Sequence, residues 1–444
     1  MRFSTSILLA LIATVNAGCT NDGGNWYCSE TDKVVFNGIG FDGSYSDVVS
    51  MNENGQCTQQ TKSFSGNLSP LDEELSVHFR GPIKLLQFGV YTPSNNNAKR
   101  DEEEDCTTTQ HVHHKHKRAT AFAEVTHTIF VDGEGNSVTQ KIPSSAVPTP
   151  VVPVAPVAPA SPNAAPSAVS PIEGAAGQGK AYRSLSTLSA PTTTSSGAKP
   201  SSTAQANGAW ERVSYFTPGS ADNLVFMNYY GGSGSGVWSA GLGNSLSYSN
   251  SDCTGGSANP VALGSSLVPS NNEYIIFSGE KCSGNDCGYY REGIPAYHGF
   301  GGSNKIFVFE FEMPTDNAGG LNGDMPAVWL LNAKIPRTLQ YGNAQCSCWS
   351  TGCGELDLFE ILAPGSDKMI CHLHDGQGAS GNNGGGGSAD FFARPNLGSF
   401  KAAAVFVGSS IHILEVSDNF GSSLDEATVQ KWINQPGSLA SIGY

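Results

Sequence analysis

The sequence predicts an all-β extracellular protein: a C-terminal β-sandwich, a small Gly-rich β domain at the N-terminus, and a structureless linker between them. Three observations carry that expectation. Charged residues make up only 14% of the 444, and 53 residues are glycine, where ordinary globular domains hold about 25% charge and about 7% glycine. Apolar residues recur in short runs between turn signals, without the strand–helix alternation of a doubly wound sheet. The chain also opens on a secretory leader: Arg2 precedes an apolar run from Ile7 to Val15, and Val15-Asn16-Ala17 satisfies the small-residue cleavage rule. Residues 1–17 are therefore read as a signal peptide, since the apolar run is too short to span a bilayer.

Residues 18–92 form the small Gly-rich β domain. Lys33–Phe36, Ser76–Phe79 and Leu85–Tyr91 read as strands, and Asn37-Gly38, Asp42-Gly43 and Asn54-Gly55 mark turns. Asn67-Leu68-Ser69 is an N-glycosylation acceptor in the right compartment. Residues 93–142 are charged. Lys99-Arg100 and Lys117-Arg118 fit a kexin-type processing protease, and ordinary exposed basic pairs fit them equally well. The histidines within 111–116 suit a solvated tract better than a metal site, because no fold fixes their geometry. From 143 to 206 the chain is Pro, Ala, Val, Ser and Thr with almost no charge, a linker too poor in apolar bulk to fold.

Residues 207–444 are long enough for one β-sandwich. Strand signals fall at 273–277, 305–313, 327–331, 355–361, 369–373, 403–407 and 411–416. Only 424–433 looks helical, opened by Ser423 with Asp425 and Glu426 in its first turn. The Gly/Asn tract from Gly376 to Gly387 reads as a lip over a cleft. No later stretch approaches 18 apolar residues and the C-terminal GSLASIGY is not hydrophobic, so no membrane anchor is expected. A net charge of −15 argues against a nucleic-acid partner. The eleven cysteines all follow the leader, so disulfides are expected with at least one thiol left over. Cys346, Cys348 and Cys353 have the look of a zinc cluster, but thiolates compete poorly with disulfide formation outside the cell, and neither metal nor cofactor is expected.

The run Glu355-Leu-Asp-Leu-Phe-Glu360 carries the chemistry. On a strand Glu355 and Asp357 share a face. Glu360 joins them if one β-bulge at Leu358-Phe359 absorbs the extra residue. Leu356 and at least one of Leu358 and Phe359 then enter the core. Crowded carboxylates repel, which raises at least one pKa. Such a row suits retaining glycoside hydrolysis, where one carboxylate attacks and another donates a proton from about 5–5.5 Å away. An acidic strand face or a Ca²⁺ site is the competing reading.

Glu355-Leu-Asp-Leu-Phe-Glu360 resembles the E-x-D-x-x-E signature of glycoside hydrolase family 16. Met325-Pro-Ala-Val-Trp-Leu-Leu331 resembles the W-P-A-x-W-L run that precedes it, with Met325 where the first Trp usually stands. Over nearly its full length the chain resembles a fungal secreted cell-wall family of glycosyl hydrolase-like proteins, named as targets of the transcription factor SBF. The resemblance implies a curved jelly-roll, concanavalin-like sandwich with a sugar cleft on its concave face. Glu355 would be nucleophile, Asp357 its assistant, and Glu360 general acid/base. The bulged spacing is that of endo-β-1,3-glucanases rather than of lichenases or chitin–glucan crosslinkers, which points to β-1,3-glucan. Trp329, Trp349, His372 and His374 are candidate sugar contacts, each also readable as structural.

The sequence thus predicts a secreted cell-wall enzyme acting on wall β-glucan, a hydrolase or a transglycosylase, since the same acids serve both. The alternative is a non-catalytic glucan-binding or structural wall protein, with a Ca²⁺-dependent lectin as a third reading.

Overall fold

The computed structural model describes residues 18–94, 209–231, 236–378 and 384–443, with one further strand pair, Phe130–Val131 and Ser137–Val138. The leader, both dibasic pairs, the histidine tract, Cys106 and the 143–206 linker lie outside the described residues. The chain divides into two units, 1–102 with 202–444, and 103–201. The first unit holds everything that follows.

In chain order, the elements that matter are β1 (Lys33–Asn37), β2 (Gly43–Met51), β3 (Cys57–Phe64), β4 (Leu75–Arg80), β5 (Lys84–Pro93), β6 (Trp210–Thr217), β7 (Leu224–Asn228), β8 (Glu273–Ser278), β9 (Lys305–Glu312), β10 (Ala327–Asn332), α1 (Lys334–Thr338), β11 (Glu355–Glu360), β12 (Lys368–His374), β13 (Gly385–Gly387), β14 (Phe400–Val407), β15 (Ser410–Glu415), α2 (Glu426–Asn434), β16 (Ser438–Leu439) and β17 (Ser441–Ile442). They build two large sheets. One runs β7-β8-β4-β10-β11-β12-β13-β17, the other β6-β5-β9-β14-β15-β1-β16. Nearly all pairings are antiparallel.

The alternating pattern of each strand decides which face meets the other sheet. Val77 and Phe79 of β4, Val328 and Leu330 of β10, and Leu356 of β11 share one buried cluster with Phe307, Phe309 and Phe311 of β9 and with Phe406 of β14. Burying each such side chain stabilises the fold by about 1.5–3 kcal/mol. The far face of the β9–β14 sheet is covered by α2, through Val429 and Trp432. Asp425, rather than Ser423, caps α2: its carboxylate accepts the Thr428 amide at 2.6 Å. At the other end the buried Lys33 ammonium donates to the carbonyls of Trp432, Ile433 and Gln435 at 2.9, 2.6 and 2.8 Å, which satisfies helix-terminal acceptors.

The separate N-terminal domain expected over 18–92 is corrected by strand pairing. β4 lies between β8 and β10, β5 between β6 and β9, and β1 pairs with β15. All six residues of β4 are buried, which a segment of that size could not achieve with its own surface. The sandwich therefore draws its central strands from both sides of the linker. The glycine lip is corrected in part: Gly385–Gly387 is a strand of the β11 sheet, while 379–383 lie outside the described residues. A Cβ on Gly386 would collide with the Ser441 carbonyl of β17, so only glycine fits between the two neighbouring strands.

Among the described residues four disulfides join Cys19–Cys28, Cys57–Cys346, Cys282–Cys287 and Cys348–Cys353, and Cys253 and Cys371 are buried free thiols. The zinc-like trio is thus spent in disulfides. Cys57–Cys346 ties the β2–β3 hairpin to the loop before β11. Asn67 stands exposed beside Leu68, which takes a left-handed φ of 65°. Among the described residues no helix is long and apolar enough to cross a membrane.

Candidate active site

β11 bears all three acids, and its register shows how they align. Against β10, Glu355 faces Leu331, Asp357 faces Trp329, and Glu360 faces Ala327, with the register slipping between Trp329 and Val328. Against β12, Asp357 faces His372 and Glu360 faces Ile370. The slip is the expected bulge at Leu358-Phe359. It returns Glu360 to the side of Glu355 and Asp357. Leu356, Leu358 and Phe359 all go into the inter-sheet core.

The three carboxylates line one cavity of about 300 Å³ together with Arg80, Trp329, Trp349, Gln340 and Tyr341. Trp329 leaves the core because it alternates with Val328 and Leu330. It packs on the cleft side with Leu331, Ile335 and Tyr45. His78, its cross-strand partner, lies 5.1 Å away ring to ring. Burial drives the His78 imidazole down to about 3, and its Nε2 shares a hydrogen bond with Ser76 Oγ at 2.8 Å. It is a neutral prop for Trp329.

Trp349 sits in the short turn closed by Cys348–Cys353, half exposed, and its Nε1–H donates to Glu355 Oε2 at 2.5 Å. The β2–β3 hairpin walls the same side. Ser46 donates its amide to Thr351 Oγ1, and the Gln59 side chain donates to the Gln345 carbonyl. Arg80 reaches Glu360 from β4: Nη2 stands 3.4 Å from Oε1, while Nε donates to the Met325 carbonyl at 2.7 Å. Met325 thus anchors Arg80 through its backbone carbonyl.

The histidines lie beside the acids as the strand pairing requires. His374 Nε2 is 3.6 Å from Asp357 Oδ2. One His372 nitrogen, an Asp357 oxygen and a Glu360 oxygen come within 4.8 Å of one another. That trio could approach a cation. Calcium, however, takes six to eight oxygen ligands, and two carboxylates with an imidazole fit it poorly.

Electrostatics set the acids apart from surface carboxylates. Burial first, then repulsion from Asp357, pushes Glu355 up to about 8, against the Trp349 hydrogen bond. Burial and then Glu360 drive Asp357 well above the usual range. Glu360 is raised by burial, and Arg80 pulls it back. The row therefore holds fewer than three charges at neutral pH. A proton on the most deeply placed member, Asp357, removes the repulsion that most opposes ionised Glu355. Burial, helped by His374, lowers His372 and keeps it neutral.

All seven residues read from the sequence thus gather at or beside one cavity. The sequence reading missed Arg80, Gln340 and Tyr341. Ser76, His78 and Arg80 do alternate along β4, which signalled a polar strand face, but nothing in the sequence paired that strand with β10. Gln340 and Tyr341 lie in a loop with no periodic pattern.

Comparison with known proteins agrees with this architecture. The family described as "Cell wall protein YJL171C/Tos1, C-terminal" matches residues 208–432, and its N-terminal counterpart matches 32–93. The chain belongs to this cell-wall family. The two matched stretches supply the interleaved strands of a single sandwich. A Candida albicans relative is 63% identical, with all of both chains covered, and bears the name "Probable circularly permuted 1,3-beta-glucanase TOS1". A Saccharomyces cerevisiae protein of the same name is 49% identical over 100% of this chain and 98% of its own. An Arthroderma benhamiae relative, "Probable circularly permuted 1,3-beta-glucanase", is 34% identical over 94% of this chain and 92% of its own. No solved structure matches the chain.

Proposed function

We propose that the protein is a retaining β-glucan hydrolase or transglycosylase that acts on β-1,3-glucan of the fungal cell wall. The observation that carries this reading is the bulge that aligns Glu355, Asp357 and Glu360 along one cavity beside Trp329 and Trp349. The names of its relatives support the substrate, and their term "circularly permuted" suits a sandwich whose central strands come from both sides of a linker.

In this reading Glu355 attacks the anomeric carbon as Glu360 donates its proton to the glycosidic oxygen, and the bond to the leaving sugar breaks. Glu360, now ionised, takes a proton from water or from an acceptor sugar hydroxyl. That oxygen attacks the same carbon and frees Glu355. Water gives hydrolysis, and a sugar hydroxyl gives transfer. Asp357 holds a proton between them and settles which glutamate is charged. Trp329 and Trp349 offer ring faces to the pyranose, and His372 and His374 offer polar edges to its hydroxyls.

The test uses reduced, labelled β-1,3-glucan oligosaccharides with the secreted protein and its Glu355→Gln variant, products being sized by mass spectrometry. Shorter products from the wild type alone are expected for hydrolysis, and additional longer ones for transfer. Unchanged oligosaccharides that still bind would overturn the enzyme reading in favour of a wall-binding role.

A further inference from the structure

The cleft face continues past Arg80, away from the acids. Across the sheet, Glu360 of β11 faces Ala327 of β10, Ala327 faces Arg80 of β4, and Arg80 faces Glu273 of β8. At about 4.8 Å per strand, Glu273 stands about 14 Å along the cleft from Glu360. A second cavity of about 300 Å³ opens there, lined by Tyr229, Tyr230, Glu273, Leu321 and Tyr341 among others. Tyr341 also lines the acid cavity, so the two share a wall.

Tyr341, Glu273 and Tyr229 are held in place in this second cavity. Tyr341 is 58% exposed, yet its hydroxyl bonds both oxygens of Glu273 at 2.8 and 3.1 Å. Its ring rests edge-on against Tyr229, 5.9 Å between centroids, and the Tyr229 hydroxyl bonds the Gln340 side chain. Tyr230 and Leu321 are 41% and 85% exposed on the outer side. Large apolar groups displayed together mark a binding surface more often than an isolated one does. Rings fixed before binding lose little entropy when covered. Ring faces beside a carboxylate match a pyranose, which offers C–H faces and hydroxyl donors together.

We propose that Tyr230, Glu273 and Tyr341 form a distal glucosyl subsite, occupied by the part of the β-glucan chain that extends across β10, β4 and β8 from the bond at the acids. This rests on the proposed function and deepens it: the natural substrate is a chain of several glucosyl units rather than a di- or trisaccharide.

The test compares wild type with Tyr230→Ala and Tyr230→Phe on a β-1,3-glucan trisaccharide and heptasaccharide. Thermal unfolding checks that each variant is folded. Tyr230→Ala is expected to lower kcat/KM about tenfold on the heptasaccharide, the loss of one ring face, with the trisaccharide unchanged and Tyr230→Phe close to wild type. Equal loss on both substrates, or no loss on either, overturns the subsite and leaves the catalytic reading standing. If wild type cleaves neither substrate, calorimetric titration with the heptasaccharide decides separately. Binding weakened about tenfold by Tyr230→Ala supports the subsite while the catalytic reading falls, and binding indifferent to Tyr230 overturns it.

Discussion

Replacing Arg80 with methionine removes the guanidinium that faces Glu360 while keeping an unbranched apolar stem beside Trp329. The two side chains are 11% and 19% exposed, with N and O 3.4 Å apart. Unit charges at that distance interact by about 5 kcal/mol at an effective dielectric of about 20. Partial exposure reduces this to about 1.5–3 kcal/mol, which is about 1–2 pKa units. Burial already raises Glu360, and Arg80 restrains the rise. Without Arg80 the Glu360 carboxyl should therefore hold its proton to higher pH. If Glu360 is the general acid, as proposed, activity is lost when it ionises, so the alkaline limb of the kcat/KM profile should move up by about 1–2 pH units. Arg80→Lys keeps the charge and should leave the limb close to its original place. The assay is a pH–rate profile on labelled β-1,3-glucan oligosaccharides. An alkaline limb that stays put in Arg80→Met, or moves down, refutes the assignment of Glu360 as the acid held in check by Arg80.

Three further outcomes follow from the packing. Replacing Cys57 and Cys346 with alanine opens a loop that spans 289 residues of sequence; urea unfolding should show a loss of about 2–5 kcal/mol, and an unchanged midpoint would contradict it. Arg394→Met strips the partner from Asp324, a pair 2.6 Å apart with side chains 0% and 3% exposed; leaving that charge buried and unpaired should cost about 3–5 kcal/mol, and a loss below about 1 kcal/mol would show that the pair matters little. Burial pushes the Cys253 thiol up to about 12 and Cys371 well above the usual range; peptide mapping should find both unlabelled by a thiol reagent in the native protein and labelled after unfolding, and native labelling of either would contradict their burial.

Much of the site was legible in the sequence because local rules governed it. Period-two alternation put Glu355 and Asp357 together, and the odd, five-residue offset from Glu355 to Glu360 demanded the bulge that brings in Glu360. The two-residue step from Ala327 allowed Trp329 on the cleft face as readily as in the core, and the histidines would lie beside the acids if their strand paired with the acidic one, as β12 does. The fold was legible as strands but not as an assembly. β2 and β3 escaped notice because their runs are polar or irregular, as in Cys57–Phe64 with its Thr, Gln, Lys and Ser; β6 and β7 were missed although Leu224–Asn228 is an apolar run. More telling is β4. Its Leu, Val and Phe positions announced one buried face, whereas Ser76, His78 and Arg80 are buried as well, on the cleft side of the sheet. A polar second face looks solvated from within its own segment. Only long-range pairing with β8 and β10 shows otherwise, and pairing across a long linker leaves no local trace.

The central claim is that Glu355 forms a covalent bond to glucose during turnover. Incubation with a β-1,3-linked 2-deoxy-2-fluoroglucoside bearing a good leaving group should slow the breakdown of that adduct and let it accumulate. Intact-protein mass spectrometry should then show one added glycosyl mass, and peptide mapping should place it on Glu355. A label on Glu360, or turnover without any adduct and with inverted product configuration, would contradict the account.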